Sequence, residues 1–269
     1  MTHLFPRPRK ALGQNFLTDQ NIVRKILAAA ALQPADQVLE VGPGRGALTA
    51  LLAERVNHLV AVEFDRDLAA LLRQQYQNSP TVLIHEQDVL QVDFAALLGE
   101  GTYKVVANLP YNISTPVLFR FLEERHRFSR LVVMLQKEVG ERLAAAPDCS
   151  DYGVLTVLFR QWFEVRREFL VPPGCFFPAP KVDSVVISLV PLSGSRVVVG
   201  DQELFEKVVR AAFAMRRKTL WNCLKSAGVA ELPAVEAALN ETGINGQRRG
   251  ETLSLDEFAA LSRALQKPA

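Results

Sequence analysis

The stretch Glu40-Val41-Gly42-Pro43-Gly44-Arg45-Gly46 decides the fold. It follows a short β-rich run, Gln37 to Val41. It precedes a helical pattern, Ala47 to Arg55, with Leu48, Leu51 and Leu52 on one face. Glycines at such a junction let the chain turn sharply and bring backbone against a ligand with no Cβ in the way. Outward from this loop the pattern repeats. His58 to Glu63 predicts a second strand, and Asp65 to Tyr76 a helix with Asp65 as its N-cap. Thr81 to Ile84 and Tyr103 to Ala107 predict two more strands. Ser114 to Arg125 predicts a helix with Pro116 in its first turn, where proline is tolerated. Leu131 to Leu135 predicts a fifth strand, followed by a helix from about Lys137 to Ala146. Repeated β-α units of this length predict an α/β fold: a mostly parallel sheet with right-handed crossovers and helices on both faces.

The pattern then changes. Glu164 to Val171 and Ser184 to Val190 are strand-like, and the segment PPGCFFPAPK between them has too many prolines for a helix. They predict an antiparallel strand pair closing the sheet. Beyond Ser193-Gly194-Ser195 the segments Gln202 to Ala214, Lys218 to Ala227, Pro233 to Asn240 and Leu255 to Gln266 predict helices. The expected organisation is a catalytic α/β domain over 1–192 and a small all-helical domain over 193–269.

Composition narrows the class. The 269 residues are 49% hydrophobic and 22% charged, which excludes a disordered, collagen-like or coiled-coil chain. Apolar stretches such as Ile26 to Leu32 fall far short of the roughly 20 residues that span a bilayer. The N-terminal MTHLFPRPRK has no apolar core, so no secretory signal is expected. Cys149, Cys175 and Cys223 form no CxxC pair and read as free thiols of a reducing, cytoplasmic setting. His3, His58, His85 and His126 lack metal-ligand spacing, so no metal site is expected.

The net charge of +2 hides two basic clusters. Near the N-terminus, Arg7, Arg9, Lys10, Arg24 and Lys25 stand against Asp19 alone. From Glu206 to Lys225, the basic residues Lys207, Arg210, Arg216, Arg217, Lys218 and Lys225 stand against Glu206 alone. Such clusters on a nearly neutral chain suggest a localised polyanion surface, or else two solvated faces. Phe213 and Trp221, at helical spacing, read as core rather than base-stacking groups.

Ligands of open α/β sheets bind beyond the carboxyl ends of the strands. Glu63 ends the second strand and can accept hydrogen bonds from both hydroxyls of a ribose. The loop itself fits two cofactors. Gly42, Gly44 and Ala47 satisfy the dinucleotide pattern GxGxxA; Glu40, Gly42, Gly44 and Gly46 satisfy ExGxGxG, the pattern of S-adenosylmethionine methyltransferases. Asp88 and Asn108 follow the third and fourth strands. Asp88 can accept from an adenine amino group, although on its own it also suits a helix N-cap. Asn108-Leu109-Pro110-Tyr111 makes a rigid turn, because Pro110 fixes its own φ and restricts Leu109. It offers an amide oxygen, a backbone carbonyl and an aromatic face to a planar base with an exocyclic amine. A proline turn with a packed tyrosine is the plainer alternative.

These motifs resemble methyltransferases acting on adenine N6. Three further stretches narrow the resemblance: Lys10-Ala-Leu-Gly-Gln-Asn-Phe-Leu17, Gln136-Lys-Glu-Val-Gly-Glu-Arg142 and Phe177-Pro-Ala-Pro-Lys-Val-Asp-Ser184. From about Lys10 to the C-terminus the chain is similar to the ribosomal RNA adenine dimethyltransferase family, and most like its branch acting on bacterial small-subunit (16S) rRNA. One departure is Gly140, where the family usually has alanine. The resemblance implies a class I methyltransferase fold and a cofactor, S-adenosyl-L-methionine, contacted by Asn15, Leu17, Gly42, Glu63, Asp88 and Asn108, with Asn15 and Leu17 in a lid. Gly44 joins them through the glycine loop. It implies dimethylation of two adjacent adenosines near the 3′ end of 16S rRNA, in an immature small ribosomal subunit, by a monomer.

The residue types suggest a mechanism. Asn108 and the Pro110 carbonyl would accept the two N–H groups of the amine, Tyr111 would stack on the base, and Phe177 would form a second wall. Phe176 could serve instead, and spacing does not choose between them. Lys207, Arg210, Arg216, Arg217 and Lys218 are expected to grip RNA phosphates, with Arg7, Arg9 and Lys10 as the fallback surface. The competing functions are a large-subunit rRNA methyltransferase of the macrolide-resistance type, a non-catalytic RNA-binding assembly factor, and a dinucleotide oxidoreductase.

Overall fold

Buried β-branched runs alternating with one-sided helices build a seven-stranded sheet. The computed structural model describes residues 6–9 and 12–266; Lys10 of the N-terminal cluster lies outside them. In chain order the sheet strands are β2 (Gln37–Val41), β3 (His58–Glu63), β4 (Val82–Glu86), β5 (Tyr103–Asn108), β6 (Phe128–Gln136), β7 (Phe163–Val171) and β9 (Ser184–Pro191). Their spatial order is β4-β3-β2-β5-β6-β9-β7. The pairs β2–β3, β3–β4, β2–β5 and β5–β6 are parallel. β9 runs antiparallel to β6, from Leu131 opposite Leu189 to Gln136 opposite Ser184. The chain thus departs from β2 in one direction and returns to lay β5 on its other side, which opens a crevice at the carboxyl ends of these two strands. The late strands do close the sheet, but out of chain order: β9 inserts between β6 and β7. A separate two-residue ladder joins β1 (Phe16–Leu17) to β8 (Phe176–Phe177).

The helices of this unit are α1 (Gln20–Ala30), α2 (Ala47–Ala53), α3 (Arg66–Gln75), α4 (Phe94–Leu98) and α5 (Ser114–Glu123), with α6 (Lys137–Ala144) after β6. Asp65 caps α3 by accepting from Asp67 N–H, as its position suggests. The helix α1 has no counterpart among the predicted elements. Its signals were present: Asp19 accepts from the N–H groups of Asn21 and Ile22, and Ile22, Val23, Ile26 and Leu27 form the buried stripe. That stripe packs with Val38, Val106, Val132 and Val186 in the core. α2 ends two residues earlier than its pattern suggests, and α4 is a short turn capped by Asp93.

Gly140 answers a packing demand. A Cβ there would lie 2.2 Å from Val185 Cγ1, and Val185 is fully buried in β9. Alanine is the better helix former by about 1 kcal/mol, yet in this chain the neighbouring valine leaves it no room.

Residues 1–140 with 164–191 form one compact unit and residues 141–163 with 192–269 a second. Sequence patterns place 141–163 with the sheet, and the structure moves it. The reason is α7 (Val154–Trp162), which buries Leu155, Val157, Leu158 and Phe159. It packs against α8 (Gln202–Phe213) and α11 (Leu255–Leu265) of the second unit. Tyr152 meets Phe213 edge-on at 5.9 Å, and Phe213 lies 5.8 Å from Phe258, so Phe213 belongs to this core. α9 (Leu220–Ala227) and α10 (Leu232–Thr242) complete the unit. No helix among the described residues is long and apolar enough to cross a membrane.

Candidate active site

The carboxyl ends of the parallel strands and the segment before β1 enclose a cleft of about 270 Å³. Three glycines of the loop after β2 have positive φ: 67° at Gly42, 60° at Gly44 and 81° at Gly46. Gly44 combines that strain with a close approach, since a Cβ would meet the Phe16 ring at 3.0 Å. Gly42 and Gly44 line the cleft, so the loop presents backbone to whatever lies there.

Glu63, at the end of β3, is 7% exposed. Oε2 accepts from Gly44 N–H at 2.9 Å and Oε1 from Asp65 N–H at 2.8 Å. Burial pushes this carboxyl above the ordinary glutamate range, while those N–H groups act in the opposite sense. The carboxylate is therefore held with one lone pair on each oxygen already used. Asp88 also lines the cleft, where Oδ1 accepts from Leu90 N–H at 2.9 Å in a turn. It does not cap the next helix; Asp93 does.

Asn108 ends β5. Its Nδ2 donates to the Asn15 carbonyl at 3.2 Å, which turns Oδ1 away as an acceptor. The Pro110 carbonyl accepts one bond, from Ile113 N–H at 3.2 Å, and keeps a second lone pair. Tyr111 is half-buried, with its hydroxyl 2.6 Å from Ser184 Oγ. Burial raises its pKa, so the phenol stays neutral across the usual working range. Asn15, Asn108, Pro110 and Tyr111 all line the cleft that Glu63 and Asp88 line.

Other expectations change. The Leu17 side chain is buried in the core and does not line the cleft, so a cofactor contact there would have to come from its backbone. Phe176 is equally buried, whereas Phe177 is 56% exposed. Alternation along β8 thus buries one ring and exposes the other, and neither Phe176 nor Phe177 lines the cleft. Arg9 pairs with Asp65 and Asp67 and is no free phosphate ligand. Gln14 Nε2 donates to Asp65 at 2.9 Å, so two residues tie the N-terminal segment down beside Glu63. The cleft wall also includes Phe64 and Phe16, which sequence reasoning missed. Phe64 directly follows Glu63 in the sequence, and the structure leaves it 59% exposed on the cleft wall.

Glu40 is the buried anomaly. It is 1% exposed and neither carboxyl oxygen has a hydrogen-bond partner among the described residues, with Thr49 and Glu63 the groups that act on it. Burial pushes it up to about 8, so it holds its proton at neutral pH.

In the second unit, Lys207 donates to the carbonyls of Gly228 and Val229 at 3.0 and 3.3 Å, beyond the end of α9. Arg210 pairs with Glu206 at 3.8 Å. Arg216, Arg217 and Lys218 are exposed at the turn between α8 and α9.

A mostly parallel sheet with one inserted antiparallel strand, its glycine loop, and a carboxylate ending the neighbouring strand define a class I methyltransferase. The family model described as ribosomal RNA adenine dimethylase matches residues 6–267. A protein of Geobacter metallireducens named ribosomal RNA small subunit methyltransferase A is 57% identical over 96% of this chain and 96% of its own. One of the same name from Geobacter sulfurreducens is 56% identical over 96% and 95%. Among solved structures, a dimethyladenosine transferase from Plasmodium falciparum has a TM-score of 0.79 at 25% identity, covering 91% of this chain and 95% of its own. The 23S rRNA methyltransferase ErmE has a TM-score of 0.70 at 26% identity, covering 94% and 100%. The chain belongs to the ribosomal RNA adenine dimethylase family and is an rRNA methyltransferase.

Proposed function

We propose that this enzyme transfers methyl groups from S-adenosyl-L-methionine to N6 of two adjacent adenosines near the 3′ end of 16S rRNA, two to each. Its substrate is an immature small ribosomal subunit, and it acts as a cytoplasmic monomer. The small-subunit target is favoured by the names of relatives more than 50% identical, against 26% for the 23S enzyme.

The residues fit the cofactor. Gly42 and Gly44 present backbone to the cleft, and Glu63 keeps lone pairs for two ribose hydroxyls. Asp88 suits the adenine amino group, and Asn15 covers the opposite side from the N-terminal segment. Bound there, the sulfonium supplies an electrophilic methyl group that needs only in-line placement.

The observation carrying the reading is the Asn108–Asn15 bond. The adenine N6 lone pair is delocalised into the ring, so the amine is a poor nucleophile until it becomes tetrahedral. Asn108 Oδ1 and the Pro110 carbonyl each accept an N–H as that geometry develops, which favours the transition state over the flat ground state. Because Asn15 fixes the amide, the acceptor is oriented before the base arrives. Tyr111 stacks on the base, with its hydroxyl anchored by Ser184, and Phe177 closes the outer face. Transfer leaves an ammonium that gives up one proton to water; a single N–H then remains for two acceptors, so the methylamine rotates or rebinds before the second. Arg216, Arg217 and Lys218 grip phosphates; Lys207 and Arg210, already engaged within the helical unit, contribute less.

The test is mass-spectrometric mapping after incubating the protein with S-adenosylmethionine and unmethylated ribosomal particles. N6,N6-dimethyladenosine at two adjacent 16S positions is expected. Modification confined to 23S rRNA would assign the large-subunit function instead, and RNA binding without modification would leave an assembly factor.

A further inference from the structure

Arg45, in the glycine loop, sets its guanidinium against two aromatic rings. The guanidinium carbon is 4.5 Å from the centre of the Phe16 ring and 5.7 Å from that of Phe177. Phe16 and Phe177 are register partners in the β1–β8 ladder. Phe16 is 7% exposed and lines the cofactor cleft, whereas Phe177 is 56% exposed. A two-residue ladder sets where these residues lie, but it fixes the rotamer of an exposed phenylalanine poorly. A cation close to both rings supplies that missing restraint. A planar guanidinium can lie on aromatic faces in a way an ammonium cannot. Arg45 Nη2 also donates to the Pro6 carbonyl at 3.2 Å, which steadies the cation itself.

We propose that Arg45 is a positioning residue: through cation–π contact shared with Phe16 it holds the Phe177 ring in place as a wall for the target adenine. This rests on the reading of Phe177 as that wall. A ring already ordered loses less rotamer freedom when the base docks, so Arg45 acts on capture of the RNA more than on the cofactor. It also joins the two halves of the site, since the ring facing the cofactor and the ring facing the base share one cation.

The experiment compares the full-length protein with Arg45→Met, Arg45→Lys, Phe177→Ala and the Arg45→Met/Phe177→Ala double variant. Substrates are unmethylated small-subunit particles and S-adenosylmethionine, and thermal melting is followed in parallel. Arg45→Met should lower kcat/KM for particles by about 2- to 30-fold, the range of one cation–π contact. The KM for S-adenosylmethionine should stay within about threefold, and Arg45→Lys should recover only part of the loss. On the Phe177→Ala background, Arg45→Met should cost nothing further, because its effect passes through that ring. A loss that persists on that background and flattens the salt dependence makes Arg45 a phosphate ligand and overturns the proposal. So does a matching loss in cofactor KM. If Phe177→Ala alone leaves kcat/KM unchanged, the wall reading itself fails.

Discussion

The cleft at the strand ends and the basic turn at Arg216 to Lys218 hold their polar groups in opposite ways. In the cleft each group is tied before any ligand arrives: Glu63 by two backbone N–H groups, Asn108 by a carbonyl, Tyr111 by a serine hydroxyl. At the turn, three exposed cations make no ion pair among the described residues. Chemistry on a weak amine requires fixed geometry, whereas neutralising phosphates requires charge and tolerates motion. The same contrast explains why Lys207, bonded to two carbonyls, belongs with the tied groups although its sequence neighbourhood is basic.

The sharpest way to break this comparison is at Asn108. Asn108→Ala should lower the single-turnover rate by about 10²–10³, because it removes one preorganised acceptor of the transition state. Cofactor affinity is measured in parallel, and a near-normal rate would sink the role. Glu63→Ala comes next. Loss of hydrogen bonding to a buried carboxylate costs about 1.5–3 kcal/mol, roughly 10- to 150-fold in affinity for S-adenosylmethionine. Calorimetry is expected to show this with RNA binding little changed; equal losses for both ligands would contradict the division of labour.

At the basic turn the expected signature is different in kind. Changing Arg216, Arg217 and Lys218 to glutamine should weaken particle binding at low salt. It should also flatten the salt dependence, by roughly 0.7–0.9 in log–log slope for each phosphate that is no longer neutralised. Cofactor affinity should stay put. Wild-type binding at matched ionic strength would reduce the cluster to a solvated face.

The last expected effect, on stability rather than on activity or binding, concerns Glu40 and depends on pH. The folded chain keeps a proton on Glu40 up to about pH 8, while the unfolded chain loses it in the ordinary glutamate range. Stability therefore falls as pH rises through that window, by roughly a kilocalorie per mole per pH unit. Glu40→Gln removes this slope, so its stability relative to wild type should grow from pH 5 to pH 8. Urea melts giving a constant difference across that range would refute a protonated Glu40.

Much of the cleft was legible because chain order and strand ends coincide. Gly42, Glu63, Asp88 and Asn108 each follow or end a strand of the parallel sheet, so a β-α reading alone sets them at one edge. The missed parts share a cause. Helix α7 is amphipathic like any other, and nothing local says that its apolar face meets α8 and α11 rather than the sheet. Asn15, Phe16 and Leu17 are neighbours with different fates: Asn15 and Phe16 line the cleft, Phe16 also with its ring against Arg45, and Leu17 enters the core.

Local chemistry thus determined the alternation of strands and helices, the turn at the glycine loop, the rigid Asn108–Tyr111 corner and the exposed cations of the tail. These depend on periodicity, backbone restriction and charge, all of which act over a few residues. The tertiary structure alone decided that β9 inserts between β6 and β7, that Gly140 must lack a Cβ beside Val185, and that Phe177 rather than Phe176 stays exposed. It also decided that Asn108 spends its Nδ2 on the Asn15 carbonyl and that both Glu63 oxygens already accept backbone N–H groups. Those outcomes are set by residues tens of positions apart meeting in space. There the energy lies in who fills a shared volume or answers a given hydrogen bond, and no single segment carries both partners.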